Sequence, residues 1–215
     1  MKPSNCVFEK LGLVDYGKAL QFQEYSADSN RKLGLDWLLL LEHPAVITIG
    51  MHGKAENIIA DAQLLREKCV SVYKTERGGD VTYHCPGQLI GYPLIDLKRK
   101  GIGVRQYVHS LEESLITLLN DYSIKAERKD KTAGLWVNDA KIASIGIRVK
   151  NSISMHGFAL YVNPEMDGFS YINPCGVKGM KITSMEKELS QNISLEEVSR
   201  AYARHFSKAF NCRMV

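Results

Sequence analysis

The sequence predicts an α+β fold in which a mixed β-sheet is flanked by helices. Helical segments and hairpin-like strand pairs follow one another without a regular βαβ rhythm, and short apolar runs end at turn residues. The chain has 215 residues, of which 45% are hydrophobic, so it can bury a full core without a metal or a disulfide. Because no linker or repeat interrupts it, we expect a single domain spanning residues 1–215.

Four segments are expected to be helical. Residues 16–33 and 104–122 each carry an apolar stripe at helical spacing, and residues 60–68 suit a short helix. Ser194, followed by Glu197 three residues later, is a capping box that should open a last helix reaching about Phe210.

The strands are predicted from apolar or alternating runs. Pro93 should mark a bend or an edge, because proline cannot donate to a β-ladder. The runs at 37–41 and 45–49 should meet at the His43–Pro44 turn. The other predicted strands are 70–74, 81–84, 88–97, 134–137, 141–149 and 152–163.

Composition narrows the function classes. A net charge of +4 is far short of the basic footprint of a nucleic-acid-binding protein. The five cysteines are widely spread and form no Cys-x-x-Cys pair, so we expect neither a zinc site nor a disulfide framework. Neither a signal segment nor a membrane span is evident. A cytoplasmic enzyme fits these observations.

The segment from Arg77 to Leu89, RGGDVTYHCPGQL, is the richest in chemistry. A Gly-Gly turn, a strand and a second turn follow one another, an arrangement that builds the wall of a pocket. A hairpin without a ligand is the alternative, but the polar side chains crowded between the turns favour a site. Arg77 could meet an anionic or carbonyl group there.

Cys175 lies in Asn173-Pro-Cys-Gly176, between residues that break regular structure, so its thiol should project from a rigid turn. A thiol needs an activator to act as a nucleophile at neutral pH. His84, His156 and Lys141 are candidates, although His156 fits a structural role better. The alternative is that Cys175 is an inert small hydrophobe.

Lys141 opens a strand in which residues 143, 145, 147 and 149 form an apolar face, while Ser144 and Gly146 leave space on the other. By strict alternation Lys141 belongs to the apolar face. It can reach the side of the small residues only through a bulge or strong twist, and otherwise it is a surface lysine. Gly157 and Ala159 on the next strand also leave room for a ligand.

Four motifs together resemble the octanoyl-[acyl carrier protein]:protein N-octanoyltransferases, also called lipoyl(octanoyl) transferases. The resemblance spans about residues 5 to 210 and implies the fold of the biotin/lipoyl protein ligase superfamily. The motifs are RGGDVTYH-x-PGQ from Arg77, KIASIG from Lys141, HGFAL from His156 and NPCG from Asn173.

The resemblance assigns the acyl-thioester nucleophile to Cys175 and its activation to Lys141. One departure is Cys85, where the family usually has glycine, and its side chain is expected to narrow the pocket mouth or add a redox-sensitive thiol. The implied substrate-binding residues are Arg77, Gly78, Gly79, Asp80, Val81, Thr82, Tyr83, His84, Ser144, Ile145, Gly146, Gly157, Phe158 and Ala159.

The implied reaction moves an octanoyl group from octanoyl-acyl carrier protein to a lysine of a lipoyl domain, through a Cys175 thioester. The acceptors would be lipoyl domains of 2-oxoacid dehydrogenase E2 subunits and the glycine cleavage H protein. Neither ATP nor a metal is expected as a cofactor, neither nucleic acid nor membrane as a partner, and a monomer is the default. The alternatives are an ATP-dependent lipoate or biotin protein ligase and a non-catalytic acyl-binding module.

Overall fold

The computed structural model describes residues 3–129 and 132–215. Its α-helices are α1 (Tyr16–Leu33), α2 (Ala62–Glu67), α3 (Leu97–Lys100), α4 (Val104–Asp121), α5 (Met185–Leu189) and α6 (Leu195–Ala209). Its strands are β1 (Ser4–Leu13), β2 (Asp36–Glu42), β3 (Val46–Ile49), β4 (Ser71–Lys74), β5 (Val81–His84), β6 (Gln88–Leu94), β7 (Glu127–Lys129), β8 (Thr132–Val137), β9 (Ala140–Lys150), β10 (Ile153–Tyr161), β11 (Lys181–Ile182) and β12 (Cys212–Met214).

A large mixed sheet runs through the middle of the molecule. Its strand order is β12-β1-β2-β6-β10-β9-β8-β7, and β11 pairs with the start of β9. The β12–β1, β1–β2 and β11–β9 pairs are parallel, whereas the pairs from β2 to β7 are antiparallel. The α+β prediction of a mixed sheet with flanking helices is therefore confirmed.

The two faces of the large sheet are covered differently. One face packs on α4 and α6, in a core that includes Leu115, Leu118, Tyr202 and Phe206. The other face packs on α1 and on a small sheet of order β4-β3-β5. The predicted strands on either side of His43–Pro44 do meet at this corner, but they belong to different sheets.

Local signals explain the helix ends. The Asp15 carboxylate accepts hydrogen bonds from the first backbone N–H groups of α1, and Gly34 ends the helix in a left-handed conformation with φ of 68°. Ser194 Oγ accepts from the Glu197 N–H and so caps α6, as the capping-box signature predicts.

Pro93 does not mark an edge of the sheet, and that part of the prediction was wrong. It lies in β6, which is an interior strand between β2 and β10. The β6–β10 ladder ends at Gly91, so the missing N–H of Pro93 falls where β10 no longer pairs. Its carbonyl instead accepts hydrogen bonds from Ser154 Oγ and the Tyr107 hydroxyl.

Candidate active site

The Gly-Gly turn before β5 is organised around Arg77, which is buried. Its guanidinium donates to Thr48 Oγ1 at 2.9 Å, to the Thr48 carbonyl at 2.7 Å and to the Asp80 carbonyl at 2.7 Å. Burial lowers the pKa of this guanidinium from its ordinary value. Most of the guanidinium N–H groups of Arg77 thus donate to the protein's own backbone. The sequence had suggested that they would meet a ligand.

The same turn approaches β9 so closely that only glycine fits. The Gly78 N–H donates to the Ile147 carbonyl at 2.8 Å. A Cβ on Gly146 would lie 2.9 Å from the Gly78 carbonyl oxygen, too close for a real contact. The first and second motifs therefore form one continuous wall.

Cys175 projects from a 3₁₀ turn, Pro174–Gly176, in a left-handed conformation with φ of 55°. The turn is anchored through Asn57, because the Asn173 N–H donates to the Asn57 carbonyl at 2.7 Å. Asn57 Nδ2 in turn donates to Asp80 Oδ2 at 2.7 Å. Asn57 ends a short 3₁₀ helix, Ala55–Asn57, which is far from Cys175 in the sequence and carries no motif. No sequence signal could therefore have identified this positioning residue.

Lys141 reaches the thiol because β9 contains a bulge. Under strict alternation its side chain would point to the other face of the sheet. Trp136 pairs with Lys141 but Leu135 pairs with Ala143, so Ile142 is an extra residue in β9. This β-bulge turns Lys141 to the same face as Ser144. Lys141 is 2% exposed, which excludes the surface-lysine alternative, and its Nζ lies 3.2 Å from Cys175 Sγ.

Two neighbours shape the environment of this amine. Its Nζ lies 4.8 Å from the centroid of the Trp136 ring, within cation–π distance. A Cβ on Gly134 would lie 2.7 Å from Lys141 Cε, so glycine there leaves room for the lysine side chain. Strand pairing also holds Cys175 near Lys141, because β11, which follows the cysteine turn, pairs with β9 at Lys141.

A narrow pocket extends from the Cys175–Lys141 pair between the large and small sheets. The space open to a water-sized sphere is about 60 Å³, enough for roughly four to six water-sized groups. It is lined by Tyr16, Arg77, Gly78, Gly79, Asp80, Val81, Thr82, His84, Ile90, Tyr92, Lys141, Ser144, Ile145, Gly146, His156, Gly157, Phe158, Ala159 and Cys175. All the sequence-predicted site residues but Tyr83 are therefore brought together, and Tyr16, Ile90, Tyr92 and His156 are added.

Tyr83 and Cys85 lie elsewhere. By strand alternation they face away from Thr82 and His84, into a separate cavity. There Tyr83 packs edge-on against Phe169 and Tyr171. Cys85 therefore does not line the pocket that holds Cys175, and burial raises the pKa of its thiol to about 12, which argues against a reactive thiolate.

Three histidines, His43, His84 and His156, lie in or beside the narrow pocket. Tyr92 donates to or accepts from His43 Nε2 at 2.7 Å, and its ring lies 6.4 Å from that of His156. Burial lowers the pKa of His43 and His156 to about 4 each. It lowers the pKa of His84 to about 3, with the nearby positive charge of Arg77 contributing. All three imidazoles are therefore neutral at pH 7. With pKa values this far below neutral they are weak proton acceptors, which argues against His84 or His156 as the general base for the thiol.

A second opening also reaches the Cys175–Lys141 pair. This outer groove has a volume of about 330 Å³. Val108, Ala133 and Ile147 form its apolar sides. The residues that it shares with the narrow pocket are Gly78, Gly79, Asp80, Lys141, Ile145, Gly146 and Cys175. The thiol and amine thus stand at a junction between a tight pocket and a wider approach.

Residues 3–129 and 132–215 contain no group of three or more His, Cys, Asp or Glu side chains placed to hold a metal ion. Over the same ranges, each helix is too short or too polar to cross a membrane.

Comparison with solved structures supports the fold. A lipoate-protein ligase A solved with bound ATP superimposes with a TM-score of 0.77, at 14% identity, over 100% of this chain and 88% of that one. The biotin protein ligase of Aquifex aeolicus superimposes with a TM-score of 0.53, at 13% identity, over 97% of this chain and 69% of that one. The biotin/lipoyl protein ligase fold is therefore confirmed.

Comparison of sequences goes further. The family described as the lipoyl protein ligase A/B catalytic domain matches residues 15–207. An octanoyltransferase of Solibacter usitatus is 44% identical over 212 residues, which cover 98% of this chain and 96% of that protein. The chain therefore belongs to the lipoyl protein ligase A/B catalytic domain family and, within it, to the octanoyltransferases.

Proposed function

We propose that the protein transfers an octanoyl group from octanoyl-acyl carrier protein to the acceptor lysine of a lipoyl domain, through a thioester on Cys175. The observation that carries this proposal is the 3.2 Å separation of Lys141 Nζ and Cys175 Sγ at the mouth of the narrow pocket. An ammonium at this distance stabilises a thiolate by charge pairing. The family relationship supports acyl transfer in general, and the identity of donor, intermediate and acceptor is our proposal.

In the first step the Cys175 thiolate attacks the thioester carbonyl while the octanoyl tail enters the narrow pocket, which widens to take all eight carbons. A C–S bond forms at Cys175 and the C–S bond to the phosphopantetheine arm breaks. The departing thiolate takes a proton from Lys141, which leaves the lysine neutral. Exchange of one thioester for another changes the free energy little.

In the second step the neutral amine of the acceptor lysine attacks the octanoyl-enzyme. The amide bond forms, the bond to Cys175 breaks, and the proton released by the amine passes to Lys141. This restores the ammonium–thiolate pair. Because a thioester is converted to an amide, the step runs downhill without ATP, and neither step uses a metal.

The outer groove supports the approach of both partners. It leads directly to Cys175 and Lys141 and is wide enough for an extended arm, whereas the narrow pocket holds the tail. We propose that the phosphopantetheine arm and the acceptor lysine use this groove in turn. The acceptors we expect are lipoyl domains of 2-oxoacid dehydrogenase E2 subunits and the glycine cleavage H protein. A reducing cytoplasm would keep the five free thiols reduced.

Trapping of the intermediate tests the proposal. Incubation with octanoyl-acyl carrier protein should add one octanoyl mass to the intact protein, and hydroxylamine should remove it. Cys175→Ser should show no such adduct, and Cys85→Ser is the matched control that should acylate normally. An adduct that requires ATP would favour a ligase, and binding without any adduct would favour a non-catalytic acyl-binding module.

A further inference from the structure

His156 occupies a place in the pocket that the transfer chemistry does not use. Its position in β10 has φ of 57°, a conformation that costs free energy for a residue with a side chain. It is only 3% exposed, and in the described part of the chain its Nδ1 is buried without a hydrogen-bond partner. A strained and unsatisfied side chain in a substrate pocket calls for a functional reason.

Helix α1 holds this residue in place. The Gln23 side chain accepts a hydrogen bond from the His156 N–H at 2.7 Å, although Gln23 and His156 are 133 positions apart. On the inner side, the imidazole packs edge-on against Tyr92, which lines the narrow pocket. His156 is thus clamped between α1 and the pocket.

Beyond His156 lies another cavity, here called the α1 cavity. Its lining residues are Leu20, Glu24, Ala27, Asp28, Arg31, Lys74, Thr75, Glu76, Arg148, Lys150, Met155 and His156. Its volume is about 290 Å³, against about 60 Å³ for the narrow pocket. Among the described residues, His156 alone lines both cavities.

The charges around His156 agree with its position between the narrow pocket and the α1 cavity. The positive charges of Arg77, in the narrow pocket, and of Arg148, in the α1 cavity, both act on His156 and help to keep it neutral. A neutral ring can close an apolar pocket at a lower desolvation cost than an imidazolium ion. Closure matters because the α1 cavity offers nearly five times the volume of the narrow pocket.

We propose that His156 is the residue that closes the inner end of the acyl pocket and thereby sets the upper limit on acyl-chain length. This proposal rests on the proposed function, since it deepens the substrate choice of the same site. With His156 in place, a tail that outgrows the narrow pocket meets the imidazole. Without the ring, the tail would pass into the α1 cavity, toward Leu20, Ala27 and Met155.

The test compares acylation across acyl-acyl carrier proteins with tails of 6 to 14 carbons, followed by intact mass. His156→Gly should raise the acylation rate with tails of 12 and 14 carbons at least tenfold relative to eight carbons. Glycine tolerates the positive φ, so the fold should survive. His156→Asn, which also tolerates this conformation, is the second variant and should give a smaller shift in the same direction.

Two controls separate closure from general loosening. Met155→Ala enlarges only the α1 cavity and should leave the chain-length profile unchanged. In the double variant His156→Gly/Ala27→Met, a larger side chain refills the α1 cavity, and the preference for shorter tails should return.

The results that would overturn the proposal differ from those that would overturn the function. If wild-type protein takes no octanoyl group, the proposed function fails. If wild-type protein acylates but folded His156→Gly and His156→Asn keep its profile, the chain-length proposal fails while the function stands. A shift in Met155→Ala as large as that in His156→Gly would also overturn the role of His156.

Discussion

The two faces of the large sheet differ in how completely their buried polar groups are hydrogen-bonded. On the face covered by α4 and α6, buried polar groups are partnered: Ser114 donates to the Tyr202 hydroxyl, and the Tyr107 hydroxyl donates to the Pro93 carbonyl. On the other face, within the described residues, Gln23 and His156 each keep a buried polar atom without a partner. The hydrogen-bonded polar groups under α4 and α6 therefore stabilise the fold. On the pocket face, buried polar atoms without a protein partner are available to a substrate site.

This contrast predicts that changes on the pocket face alter the rate, whereas changes on the helix face alter stability. Lys141→Ala should have the largest effect. Acylation of Cys175 should slow by about a thousandfold near pH 7, a loss of roughly 4 kcal/mol in the transition state. The rate should recover partly at high pH, where a thiol ionises without help.

The measurement is a pH–rate profile of acylation by octanoyl-acyl carrier protein, with Lys150→Ala as the control. Lys150 ends the same strand but lies outside the narrow pocket. A Lys141→Ala profile that matched wild type would remove the lysine from the mechanism. A large loss of folded protein would contradict the division between the two faces.

Leu115→Ala probes the opposite face. Leu115 is fully buried against the helix-side core, so its truncation should cost about 2–5 kcal/mol of unfolding free energy. The acylation rate per folded molecule should stay within about twofold of wild type. Denaturant unfolding and the acylation assay on the same preparation check both, and the exposed Val104→Ala on the same helix serves as the control. A tenfold loss of rate would show that the faces are coupled.

Acid should lower the free energy of unfolding by protonating histidines that are buried on the pocket face. The pKa of His43 and His156 is about 4 in the folded protein, below the ordinary value of about 6.5 that the unfolded chain recovers. Between these values the unfolded state binds more protons, so stability is fully present above pH 6.5 and falls as the pH drops towards 4. Each of the two should cost roughly 2 kcal/mol at pH 5.

Urea unfolding at pH 7, 6 and 5 measures this loss. His156→Asn should lose less stability than wild type over the same range, because one of the titrating groups is gone. A wild-type stability that stays constant from pH 7 to pH 5 would contradict the neutral, buried state of these imidazoles.

Gly176→Ala should have the smallest effect. An added Cβ would lie 2.6 Å from Asp80 Oδ2 and would push the cysteine turn away from its anchor. We expect acylation to slow about tenfold, or roughly 1.4 kcal/mol. Gly179→Ala is the matched control, because φ is 72° there against 73° at Gly176 but an added Cβ meets nothing within 4 Å. Equal rates for the two variants would mean that backbone strain, and not the clash with Asp80, controls the turn.

Prediction from sequence succeeded where local chemistry decides the structure. The bounds of α1 and β5 were predicted correctly because a capping aspartate, turn glycines and proline mark their ends. Alternation alone required a bulge near Lys141, and the extra residue is Ile142. Where pairing is non-local, the sequence was insufficient. It did not indicate that β3 and β5 form a separate sheet, nor that Tyr16, Asn57 and Tyr92 converge on the site.

The bulge at Ile142 makes the direction of the amine depend on how β9 pairs with β8 as well as on residue identity. If the same residues paired in a regular ladder without the bulge, strict alternation would place Lys141 on the side of the sheet opposite Ser144. The nucleophile would then lose its partner although every pocket side chain was still encoded. A match to the motif residues therefore indicates a working dyad only when the bulge in this strand is also kept.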